Sequence, residues 1–155
     1  LRAKHKYPFI DKKIQTSWNA LYISALFEAS KLNKSYGLKA LKSLNTINIE
    51  MIDKGILYHQ KISNNPVKIK GLFEDYSFLI SANINAYEFS LDAKYLRLAK
   101  QLTKVALKKF YKNNHFYLSD DDFMVEAKVY DSAYKSALAN MLDNLFKVGL
   151  YSDNR

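Results

Sequence analysis

The chain has 155 residues, 48% of them apolar, enough for one ordinary domain with a real core, and it has no cysteine, which excludes disulfides, thiolate nucleophiles and cysteine-ligated metals. The formal net charge of +9 is almost all lysine, with Arg only at 2, 97 and 155. Base and phosphate recognition favours the bidentate guanidinium, and the lysines are dispersed over expected solvent faces, so no nucleic-acid partner is expected. No run of about 18 apolar residues is present and Leu1-Arg2-Ala3-Lys4-His5-Lys6 lacks the apolar stretch of a signal peptide, so a cytoplasmic protein with no membrane partner is expected.

Residues 1–15 read as an irregular arm broken by Pro8, with Asp11 and Lys13 able to pair. Thr16 or Ser17 can cap a first helix, whose apolar positions Trp18, Leu21, Tyr22, Ala25, Leu26, Ala29 and Leu32 recur at three and four spacing. Asn33-Lys34 is the turn, Ser35 a cap, and Leu38, Leu41, Leu44, Ile47, Met51 and Ile52 carry a second helix to about Lys54, where Gly55 supplies a left-handed stop. Ile56 to Ile62 and Val67 to Leu72 flank Ser63-Asn64-Asn65-Pro66 and predict a hairpin. The same cycle then recurs. Phe73 to Phe89 forms a helix with Glu74 and Asp75 in its first turn, Ser90-Leu91-Asp92 connects, and a helix from Tyr95 runs to about Lys109. Phe116-Tyr117-Leu118 and Phe123 to Val129 suggest another hairpin or extended loop, and a fifth helix is expected from near Asp131 to Lys147, with Gly149 as its stop.

Ser17-Trp18-Asn19, Glu74-Asp75-Tyr76 and Tyr130-Asp131-Ser132 open alternate helices, 58 positions apart from Trp18 to Tyr76 (76 − 18) and 56 from Asp75 to Asp131 (131 − 75). A period of this size marks stacked helical hairpins. The predicted repeats are residues 16–72, 73–129 and the start of a third over 130–155, after the arm 1–15. The first helix of each cycle mixes Asn19, Ser24 and Glu28, or Ser77, Ser81, Asn83, Asn85 and Glu88, among apolar positions, whereas its partner has a plain Lys-rich outer face. This predicts first helices lining an interior and second ones facing solvent. The expected fold is all-α: a partial α/α toroid of antiparallel hairpins, about five helices, with short β-hairpin or extended-loop excursions.

Pro8-Phe9-Ile10-Asp11-Lys12-Lys13 with Trp18-Asn19-Ala20-Leu21, then Gly71-Leu72-Phe73-Glu74-Asp75-Tyr76-Ser77-Phe78-Leu79-Ile80, then Asp131-Ser132-Ala133 with Ser136, stand in order along the chain. These blocks resemble the thioredoxin-domain proteins related to the spermatogenesis-associated thioredoxin-like protein and its bacterial homologues. Ala20 stands where that family has Gly, and Lys135, Ala137 and Leu138 where it has Pro, Gly and Asn. The resemblance implies a thioredoxin-like domain outside this sequence, followed by a toroid of the six-hairpin glycosidase type, akin to N-acylglucosamine 2-epimerase. This chain would be a slice of that toroid.

Glu74, Asp75 and Asp131 at starts of expected inner helices are the candidate catalytic carboxylates, since glycoside cleavage needs one acid and one base or nucleophile. Their alternative use is capping and pairing with helix dipoles. Trp18 and Tyr76 can stack on a sugar face or serve the core, Asn19 lies beside them, and His59 on the hairpin is a candidate general base. Asp120-Asp121-Asp122 lacks the sixth-position Gly and closing Glu of a calcium loop. No metal and no cofactor are expected.

Two functions follow. One is carbohydrate binding or processing, as an epimerase or glycosidase relative with a saccharide as ligand. The other is a non-catalytic scaffold or interaction module for the rest of a longer, redox-linked protein. Either way the open edges of an incomplete ring predict self-association.

Overall fold

A computed structural model describes residues 8, 10–62 and 65–153, with Asp153 described by its backbone alone. Residues 1–7 with His5, Phe9, the turn positions 63 and 64, and residues 154–155 lie outside the described residues. The helices are α1 (Thr16–Ala29), α2 (Lys34–Met51), α3 (Phe73–Ser90), α4 (Ala93–Phe110) and α5 (Ala137–Asp153). The strands are β1 (Lys13–Gln15), β2 (Ile52–Asp53), β3 (Ile56–Ile62), β4 (Lys68–Lys70), β5 (Tyr111–Lys112) and β6 (His115–Phe116).

The helices form two layers. In the inner one, α3 lies between α1 and α5; α2 packs outside α1 and α3, and α4 outside α3 and α5. Helix α3 is enclosed on nearly all sides because both layers meet on it, and Phe73, Tyr76, Phe78, Leu79, Ile80 and Ile84 are all buried. Asn33 and Asp92 cap the outer helices by accepting from the Ser35 and Lys94 amides.

Helix α2 ends at Met51, and the left-handed Lys54 and Gly55 (φ 49° and 79°) form the two-residue turn between β2 and β3. Gly55 therefore serves a hairpin and does not stop the helix, because a right-twisted hairpin needs positive φ at both turn positions. The second cycle repeats the device at Asn113 and Asn114, φ 50° and 64°, between β5 and β6. The expected hairpin of residues 56–72 is present as β3 and β4, paired antiparallel with Tyr58 opposite Lys70. On its other edge β3 takes β1, Lys13 opposite Ile62, so the arm becomes a sheet edge over residues 13–15. The Asp11–Lys13 ion pair forms at 3.1 Å and is solvent-exposed.

The fifth helix begins at Ala137, later than expected. Ser136 caps it, its hydroxyl accepting from the Ala139 amide at 3.0 Å, while Asp131 remains in the preceding irregular segment and accepts from the Ser136 amide at 2.8 Å. Gly149 does not stop α5; the helix runs on to Asp153. Of the polar groups expected to line an interior, Glu28, Asn85 and Glu88 line a cleft between α1 and α3, whereas Ser77 and Asn83 are taken up by neighbouring helices. Asn83 pairs with Asn48 of α2 at 3.0 Å, and Asn140 and Asn144 of α5 both donate to the Ser77 carbonyl. Buried amides demand partners, and the neighbouring helix supplies them.

At Gly37 the outer helix α2 approaches the end of α3 so closely that a Cβ would overlap the ring of Phe89, itself packed on Phe27 with centroids 5.7 Å apart. Gly37→Ala should destabilise the chain by about 1–3 kcal/mol, as overpacking does, read from urea denaturation.

Candidate functional site

The sheet lies against the N-terminal ends of α1 and α3, and this is where polar side chains converge. Asp75, on the first turn of α3, is fully buried. Its Oδ1 accepts from the Ser17 amide of α1 at 3.0 Å, and its Oδ2 accepts from the Leu72 amide at 2.8 Å and bonds Nδ1 of His59 at 2.9 Å. One carboxylate thus satisfies a free amide at each of two helix starts and ties both to β3. Thr16 adds a second tie, its hydroxyl donating to the Tyr58 carbonyl at 2.6 Å.

Glu74 stands beside this centre, half-buried, and accepts from the Ser17 hydroxyl at 3.2 Å. Burial, reinforced by the Asp75 charge, holds its carboxyl above the ordinary value of 4.5, with the Ser17 hydrogen bond opposing. The hydrogen bond to Asp75 raises the His59 imidazole above 6.5, against its own partial burial. Ligand atoms of His59, Glu74 and Asp75 lie within 4.8 Å of one another, a spacing a divalent cation can bridge. Here the Asp75 oxygens are already engaged by two amides and the imidazole, so His59 occupies the side of Asp75 that such an ion would take.

The expected residues therefore divide. Glu74, Asp75 and His59 meet, and Trp18, next to Ser17, is 62% exposed at the same end of α1. Asn19 sits half-buried and donates to the Gln15 carbonyl at 2.7 Å. Tyr76 corrects the expectation of a stacking platform: it is 1% exposed, its ring edge-on to Phe110 at 5.4 Å, because α3 is covered by α4 on that side. Asp131 is exposed in its own loop, occupied with the Ser136 amide, and does not belong to the His59–Glu74–Asp75 group. The expected pocket ringed by Glu74, Asp75, Asp131, Trp18 and Tyr76 is thus not formed. Ser17 was foreseen only as a cap. The signal for its pairing was the period itself, since Ser17 and Asp75 are 58 positions apart (75 − 17) and equivalent places on neighbouring inner helices face each other.

No protein-family profile matches the chain. An uncharacterized Caenorhabditis elegans protein is 27% identical over 160 residues, covering 95% of this chain and 22% of the relative. The GH76 alpha-mannanase structure of Bacteroides thetaiotaomicron superposes with a TM-score of 0.73 at 17% identity, over 97% of this chain and 39% of that one. The shared property is the fold: the chain has the hairpin architecture of part of a six-hairpin glycosidase-like α/α toroid. It spans about a fifth of the curated relative and well under half of the mannanase.

Asp75→Ala should orphan the Ser17 and Leu72 amides and lower stability by about 2–6 kcal/mol, measured by denaturant unfolding. Because the folded-state pKa of His59 lies above its unfolded value, its contribution is fully present below pH 6.5 and is lost as pH rises through the folded value. Unfolding free energies across pH 5–9 should show this loss in the wild type and not in His59→Gln.

Proposed function

We propose that this chain is part of a carbohydrate-handling α/α toroid in which Glu74 is the proton-donating acid, Trp18 a stacking face and Asp75 the group that fixes both helix ends. The observation that carries the reading is the Glu74–Ser17 contact beside buried Asp75, where adjacent inner helices converge. A carboxyl whose proton is retained above the ordinary range, next to an exposed indole, suits donation to a sugar oxygen. The toroid fold shared with a mannanase supports the ligand class. Asp131 shapes the loop before α5, and Asn19 braces the end of α1.

The link to a thioredoxin-like domain rests on the three sequence blocks that resemble that family, and the repeat boundaries 16–72, 73–129 and 130–155 rest on the period of the helix starts. No helix among the described residues is long and apolar enough to cross a membrane, and a cytoplasmic setting belongs to the same proposal. The scaffold reading is favoured by one feature, the exposed Leu142, Phe146 and Leu150 on α5, 50%, 68% and 52% accessible, which suit packing by further hairpins or another copy.

Calorimetric titration of the full-length protein with α-mannan oligosaccharides and with mono- and disaccharides should show binding, weakened about 2- to 12-fold in Trp18→Ala, the loss typical of one stacking ring. Absence of any saccharide binding would leave the scaffold reading. Light scattering of residues 1–155 alone should show concentration-dependent association, abolished by Phe146→Glu; a clean monomer in the wild type would count against an open apolar edge.

A further inference from the structure

At the end of the array opposite the sheet, two tight turns each hold a leucine out in solvent. Helices α1 and α3 start side by side where Asp75 joins them, so the α1–α2 and α3–α4 turns both stand at the far end, where Phe27 packs on Phe89. Leu32 is 92% exposed in the first turn and Leu91 76% exposed in the second. The two positions are equivalent, 59 apart (91 − 32), each directly before the capping residue of an outer helix, Asn33 or Asp92. A residue so placed ordinarily buries itself against the first turn of its helix as a hydrophobic staple. Neither does: the staple position of α2 is Gly37, which offers Leu32 nothing to pack on, and Leu91 stays out although Leu96 holds that position in α4. Leu91 also takes a left-handed backbone, φ 58°, where α3 ends. Glycine adopts that conformation freely and a side chain makes it costly, so local stability does not account for a leucine there.

We propose that this end docks on the surface of an anionic lipid bilayer, with Leu32 and Leu91 inserted among the headgroups. Lys31 and Lys34 flank Leu32, Lys94 and Arg97 stand on the first turns of α4 after Leu91, and Lys39 is further along α2; all are exposed. Among the described side chains, the carboxylates at this end are Glu28, Glu88 and Asp92, and each is paired, with Lys31, Lys147 and Lys94 in turn. Lys34, Lys39 and Arg97 are left as excess positive charge. Such cations are drawn to an anionic leaflet within a Debye length, and isolated apolar tips enter the headgroup layer one by one. A protein interface instead needs a contiguous apolar centre and is depleted in lysine. Single leucines among lysines on convex turns therefore fit a bilayer. The expectation of no membrane partner rested on the lack of an apolar spanning run, and a peripheral contact needs none. Docking by this end turns His59, Glu74 and Asp75 away from the lipid, so it is independent of the carbohydrate reading and compatible with it.

The test is cosedimentation of the full-length protein with vesicles of phosphatidylcholine alone and of phosphatidylcholine with about one third phosphatidylserine. Binding should require phosphatidylserine and fall at least about threefold when salt is raised from about 0.1 to about 0.5 M. Leu32→Ser combined with Leu91→Ser should weaken it at least about tenfold, because both changes remove inserted apolar area. Lys34→Ala should weaken it about fivefold. Leu91→Gly separates docking from folding: its thermal melt should lie at or above that of the wild type, since glycine suits the left-handed position, while vesicle binding falls. Binding unchanged in the double serine variant, binding equal on phosphatidylcholine alone, or a lower melt in Leu91→Gly overturns the proposal. Absence of binding to both vesicles overturns it also and leaves the two tips to a protein partner.

Discussion

A carboxylate removed from water must find hydrogen bonds for both oxygens, and Asp75 finds them on three different elements. Its acceptance of the Ser17 and Leu72 amides fixes the starts of α1 and α3, and its bond to His59 holds β3 over them. Helix starts present unpaired amides and a positive dipole end, so a buried anion is stabilised where two of them converge. The side-by-side arrangement of the inner helices, the seating of the sheet and the environment of Glu74 all depend on this one group.

The same carboxylate shapes its neighbour's chemistry. Glu74 cannot share the amides that Asp75 occupies; it is left with the Ser17 hydroxyl, partial burial and a like charge alongside, all but the hydroxyl favouring a retained proton. Adjacent residues of one chemical type thus acquire different character from position alone. Asp75 is tied into the framework by its hydrogen bonds, and Glu74 is left half-buried with its carboxyl held above the ordinary value. Away from this end, Asn48–Asn83 joins the outer α2 to the inner α3, and the Ser77–Asn140–Asn144 group joins the inner helices α3 and α5, both through amide hydrogen bonds that specify how neighbouring helices meet.

Likeness to a mannanase toroid at 17% identity indicates how tolerant this architecture is of sequence. Helical hairpins stacked at a fixed period need apolar stripes, caps and turns, and those can be met by many residues. Function belongs to particular side chains placed on that frame.

Hydrophobic spacing and punctuation by themselves determined the helix count, the alternation of inner and outer helices, and the β3–β4 hairpin, whereas the caps of the outer helices fell to Asn33 and Asp92, expected only as turn and connection, and not to Ser35. These are local: a stripe at three and four spacing, or a turn-forming cluster, has the same consequence wherever it stands. The period also announced that Ser17, Asp75 and Asp131 occupy related places. Only the tertiary structure decided what those places do. Three carboxylates with equal claim as acids became a buried tie, a half-buried neighbour and an exposed loop anchor, because Asp75 and Glu74 meet α1 from far along the chain while Asp131 meets only its own loop. Likewise Trp18 stays exposed while Tyr76 is sealed: α4 covers one side of α3, whereas no described element covers the indole face of α1, and no periodicity within either helix encodes that difference.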